Sequence, residues 1–176
     1  MITRDTFTVE EWAQIVSAPA KVGALVVTAD PSGPLGLLGE FRAIMESMKS
    51  YIEAHAADSP LIGALKEYIS TRPSAEEETQ LKQWAENQQA EMKANRPQTP
   101  EEMHTFVQDS LSATMTLLQT KGATDADVHS FKSMMYAIAE GVANASKEGG
   151  FLGFGGQLVS DKEAAVLTEL KSELGV

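Results

Sequence analysis

Apolar residues recur at helical spacing over most of the chain, in segments separated by Ser, Thr, Gly and Pro, and the pattern predicts an all-α fold of about seven helices. Over 99–121, Met103, Val107, Leu111, Met115 and Leu118 line one face. Over 124–147, Val128, Phe131, Met135, Ile138 and Val142 alternate steps of three and four. Val166, Leu167, Leu170 and Leu174 repeat the spacing over 160–174, as do Phe41, Ile44, Met45, Met48 and Ile52 over 37–56. Leu61, Ile62, Leu65 and Ile69 mark a shorter helix over 60–70. The segment 74–94 has few anchors beyond Leu81, Trp84 and Met92, so it is expected on the surface.

A Ser or Thr followed three residues later by Glu satisfies two otherwise unpaired amides at a helix start. The chain carries this box at Thr8/Glu11, Ser74/Glu77, Thr99/Glu102 and Ser160/Glu163, with Pro100 in the first helical position of the third. Thr124, followed by Asp125 and Asp127, is a related start whose acids favour the positive helix end. The stretch 21–29 reads two ways. A buried strand through Val22, Val26, Val27 and Thr28, feeding Gly33, Gly36 and Gly39, would suggest a nucleotide-binding unit. The glycine spacing is not the dinucleotide fingerprint, no Lys-Ser or Lys-Thr follows, and no second strand candidate exists. A helix over 8–29 with a kink at Pro19 is therefore expected.

Internal similarity links the two ends of the chain. Gly33 lies four residues after Ala29 and leads into Leu35, Gly36, Leu37, Leu38 and Gly39. Gly149 lies four after Ala145 and leads through Phe151 into Leu152, Gly153, Phe154, Gly155 and Gly156. We read this as a helix-loop-helix pseudo-repeat, with hairpins 8–57 and 124–175 inside one domain over 1–176. Glycines end helices with a following apolar residue packed back on the last turn, which accounts for the loops as caps. Apolar residues on flexible loops also mark docking surfaces, and on that reading Leu35, Leu37, Phe151, Leu152 and Phe154 are the binding residues. Asp30 stands at a helix C-terminus, where the dipole disfavours a carboxylate and either solvent or a cation relieves it.

The composition narrows the chemistry. Apolar residues at 43% and charged residues at 22% are globular values, and 176 residues suit one core. With 14 Lys and Arg against 25 Asp and Glu, the net charge of -11 repels phosphate backbones, so nucleic acid is not an expected partner. Without cysteine there are no disulfides, thiolate nucleophiles or Cys-ligated metals, and a cytoplasmic location is expected. No signal peptide is legible. The longest apolar run, 22–27, falls short of the roughly 20 residues that span a bilayer, so no transmembrane segment is expected.

Glu101 and His104 have the spacing of a di-iron half-site, but no second such pair exists, and Glu101 is explained by its place in a first turn. Asp125 and His129 share a face without a third ligand, and His55 beside Glu53 reads as solvated. Trp12 and Trp84 read as helix anchors, and Met134 and Met135 as packing or the padding of a groove. No nucleophile elbow or zinc-protease motif occurs, so no enzyme and no resident cofactor are expected. The stripe from Val128 to Val142 serves either the core or a partner helix, and the second use implies a homodimer.

The sequence Ala-Ile-Ala-Glu-Gly-Val-Ala-Asn-Ala at 137–145, then Val-Ser-Asp-Lys-Glu at 159–163 and the apolar run over 167–175, resembles bacterial tellurite-resistance proteins of the TerB-like type. Thr28, Ala29 and Asp30 with the later Glu40 resemble the other copy of the same unit. The resemblance implies an all-helical, internally duplicated protein of a bacterial stress response. The apolar glycine loops and the missing catalytic constellation make a non-enzymatic interaction module with a protein partner the preferred expectation, in the stress-response setting that the resemblance implies. The alternative is a divalent-cation protein using the carboxylates of Asp30, Glu40, Asp161 and Glu163.

Overall fold

The computed structural model describes residues 2–29, 33–145 and 159–176, with the backbone alone over 33–37. Among the described residues the chain forms a 3-10 turn at Arg4–Thr6 and seven α-helices. These are α1 (Val9–Ala29), α2 (Gly33–His55), α3 (Pro60–Ser70), α4 (Ala75–Ala94), α5 (Pro100–Thr120), α6 (Asp125–Ala145) and α7 (Asp161–Leu174). The stretch 21–29 is helical, and no strand occurs among the described residues.

Local chemistry sets the helix starts. The Thr8 amide donates to Glu11 at 2.8 Å and the Glu11 amide to the Thr8 hydroxyl at 3.3 Å. Ser74 with Glu77, and Ser160 with Glu163, close the same reciprocal pair. At Thr99 the hydroxyl takes the Glu102 amide at 3.1 Å, while the Glu102 carboxylate reaches one residue further back, to the Gln98 amide. Gly122, with φ at 86°, ends α5: the amide of Ala123 donates to the Leu118 carbonyl across it.

The start of α6 does more than cap. Asp127 is 3% exposed, and its Oδ2 accepts from the amide and the hydroxyl of Thr124 at 3.1 and 2.8 Å. Its Oδ1 accepts from the Ser59 hydroxyl at 2.9 Å and the Leu61 amide at 3.1 Å, at the beginning of α3. Burial pushes this carboxyl's pKa up, but the bonds from Thr124, Leu61 and Ser59 outweigh it and hold the group below its ordinary value.

Two helices form the spine. α1 packs against α2, α4, α5, α6 and α7, and α6 against α1, α2, α3, α5 and α7, with the most extensive contact between α2 and α6. Trp12 is buried, donates its indole N–H to the Arg4 carbonyl at 2.7 Å and lies between the rings of Phe7 and Tyr68. Met134 and Met135 are core residues, as are Val128, Phe131, Ile138 and Val142. The α6 stripe is therefore spent on the core, the first of the two uses its pattern allows. α4 buries none of its side chains, in line with the surface position its sparse anchors predict.

One feature bears on membranes. α1 is 21 residues long and apolar enough to cross one by length and composition, with half of its apolar window buried in the bundle. The uninterrupted apolar run is short because Lys21 and Thr28 bound it, and Gln14, Ser17 and Pro19 break the earlier part of the helix.

Small residues let the spine approach its neighbours. A Cβ on Gly141 would collide with the Ser47 hydroxyl and lie 3.0 Å from the Ser47 Cβ, and one on Gly23 would meet Ile44. Gly141→Ala should cost about 2 kcal/mol in urea denaturation, since α2 and α6 must separate. In a Ser47→Gly background the cost should largely vanish, and equal costs in both backgrounds would refute this packing account. Asp127→Asn should cost about 2 kcal/mol at neutral pH, because an amide cannot accept all four bonds. The carboxylate's contribution is full above its unfolded pKa and is lost as pH falls through the lowered folded value. The wild-type advantage should therefore shrink in acid, and an advantage that stays constant down to about pH 2 contradicts the assignment.

Candidate functional site

The apolar docking residues expected on loops fall differently in the structure. Leu35 and Leu37 lie in the first turns of α2, which begins at Gly33. The expected start near residue 37 was too late. Pro34 is well placed in a first turn, where its missing N–H costs nothing, and glycine is tolerated in a helix at about 1 kcal/mol. Phe151, Leu152 and Phe154 lie outside the described residues. The first of the two matching segments is thus helix rather than loop, and the pseudo-repeat of 8–57 with 124–175 does not rest on a shared loop design.

The outer face of α2 carries the most exposed apolar side chains described. Leu38 is 72% exposed, Phe41 61% and Met45 47%, whereas Met48 and Ile52 are buried at 7% and 2%. Phe41 and Met45 were expected to face the core with Met48 and Ile52, and this is corrected. All five residues follow steps of three and four along one seam. Among the described residues its C-terminal part is covered and its N-terminal part is not. α3, which packs on α2, has 11 residues, about 16 Å of helix, against 23 residues and about 34 Å for α2.

The four acids proposed as cation ligands do not assemble among the described residues. Asp30 lies outside them. Glu40 is buried on α2, Asp161 is exposed in the first turn of α7, and Glu163 is buried with its carboxylate on the Ser160 amide. Glu40 and Glu163 also take part in other interactions within the fold. Glu101 is exposed, and the carboxylates within salt-bridge distance of His104 come from α7, Glu169 at 3.7 Å and Glu173 at 3.2 Å. Asp125 and His129 are exposed, and His55 lies against the Tyr51 ring.

A groove of about 610 Å³ opens between α4 and α5 over α1, lined by Trp84, Met92, Met103 and Phe106 with Glu91 and Asp109. Trp84 thus borders a groove rather than anchoring its helix in the core. Lys21 reaches into the groove from α1, donates to the Ser110 hydroxyl at 2.5 Å and lies 5.8 Å from the Phe106 ring centre. Burial lowers its pKa, and the nearby Glu91 charge works against that shift. No nucleophile–base pair is organised around it among the described residues.

No protein-family model matches the chain, and no curated protein or solved structure matches it either.

A Cβ on Gly39 would meet nothing within 4 Å. In a helix, Gly39→Ala should then raise stability by about 1 kcal/mol through backbone propensity. A loss of stability in thermal or urea unfolding would contradict a helical start to α2.

Proposed function

We propose that this chain is a non-enzymatic helical interaction module, of the bacterial stress-response type that the tellurite-resistance resemblance implies, and that it engages a protein through the N-terminal half of α2. The observation that carries the reading is the exposure of Leu38, Phe41 and Met45 on the seam that continues into buried Met48 and Ile52. Alternating steps of three and four are the spacing with which one helix receives another, so the occupant is a helix.

The charges beside the seam favour a second copy of this chain as that occupant. Arg42 pairs with Glu46 at 2.7 Å and Lys49 with Glu53 at 3.9 Å, so the face is balanced while the whole chain carries -11. Two acidic copies repel each other least where their charges are already paired. Three side chains supply less than the roughly 800 Å² per partner of a standard interface, so the pairing is weak and concentration-dependent. The alternative, a cation protein built on Asp30, Glu40, Asp161 and Glu163, has no clustering of those acids among the described residues to support it.

Sedimentation equilibrium tests the proposal. Wild type should shift towards dimer as concentration approaches about 1 mM, and Phe41→Glu should remain monomeric. The Phe41 side chain is already largely in water, so the variant should melt at the wild-type temperature. A wild type that is monomeric throughout, or a variant that pairs equally well, would overturn this use of α2.

A further inference from the structure

We infer that His104, Glu169 and Glu173 form a site for one divalent transition-metal ion, with zinc as the ion whose ligand chemistry fits best. The proposal does not rest on the α2 face. The imidazole comes from α5, and the two carboxylates come from α7, where residues four apart share one helix face. One ligand atom from each of the three lies within 4.8 Å of the others.

The spacing leaves room for an ion between the three groups. Tetrahedral bonds of about 2.1 Å separate neighbouring ligand atoms by about 3.4 Å. The His104 Nε2 atom is 3.2 Å from Glu173 Oε1 and 3.7 Å from Glu169 Oε1, one on each side of that value. Nε2 itself is closed to solvent and has no hydrogen-bond partner, although both carboxylates stand close by. A buried, unpaired imidazole nitrogen with two carboxylate oxygens beside it is a donor set that a metal between them would use.

The surroundings agree. Gln108 donates its side-chain amide to Glu173 Oε1, an outer contact that orients a ligand carboxylate. A neutral imidazole and two carboxylates balance a doubly charged ion, and the net charge of -11 draws cations to the surface. Imidazole with carboxylate favours zinc over calcium or magnesium, which prefer all-oxygen sets. Three protein ligands leave a fourth position for water.

Calorimetric titration of the metal-free full chain with zinc chloride, with calcium and magnesium chloride in parallel, is the test. One equivalent of zinc should bind and raise the melting temperature, with the two hard cations at least tenfold weaker. His104→Ala should weaken zinc about a hundredfold, and Gln108→Ala about tenfold. Glu169→Gln, at a half-exposed position, guards against a His104 variant that fails to fold, and it should weaken zinc about tenfold with an unchanged circular-dichroism spectrum. A His55→Ala/His129→Ala double variant and Phe41→Glu should bind as wild type does. No heat at about 1 mM zinc, several weak equivalents, or unchanged binding by the Glu169 and His104 variants would reduce the cluster to an ion pair and overturn the site.

Discussion

The Asp127 carboxylate joins two helix starts that lie 66 to 68 residues apart in the chain. Each oxygen takes two donors, one oxygen serving α6 and the other α3, so a single group holds both N-termini in a fixed relation. α6 touches α1, α2, α3, α5 and α7, and errors in its placement would pass to all of them. α3 would lose its cap along with its anchor, since the Ser59 hydroxyl that bonds Asp127 also accepts the Ile62 amide. A buried carboxylate is tolerable only because four donors replace the water it gave up.

Sequence reasoning recovered what is decided within a few residues. The capping boxes at Thr8, Ser74 and Ser160 were legible because their two partners are three positions apart. Asp127 read as an ordinary first-turn acid, because its Ser59 and Leu61 partners are remote. The same limit explains His104: Glu101 stood at a suggestive spacing beside it, while the carboxylates that face it come from another helix. At α2 the period placed Phe41, Met45, Met48 and Ile52 on one face but did not bring in Leu38. It could not give its cover, which depends on how long α3 is and where it packs. Ser59 before Pro60 is a start signal of a different kind, a serine cap with no Glu three residues on.

Rigid and adaptable parts of the molecule are separated by their packing. Gly23 and Gly141 bring the spine and α2 so close that an added methyl would collide, which ties those helices together with little freedom. α4 buries nothing and packs on α1, so it can be displaced without opening the core. The open part of the α2 seam, the groove beneath α4 and the α5–α7 cluster all lie outside the contacts that fix the spine. A ligand bound at any of them would add to a scaffold already settled and would not have to build it.

The composition of α1 follows from its position. A helix surrounded by α2, α4, α5, α6 and α7 must be apolar nearly all round, and that is also the composition a bilayer would accept. Lys21 separates the two demands. Between residues 12 and 29 it is the one charged residue, and it points at the gap between α4 and α5, the direction in which the bundle leaves α1 open. Its amine bonds Ser110 on α5, while partial burial already weakens its hold on a proton. A cation at the midpoint of a membrane helix would cost several kcal/mol, whereas at the edge of a groove it needs only a hydroxyl and some water. In the bundle, the single lysine thus sits on the one unclosed side of α1.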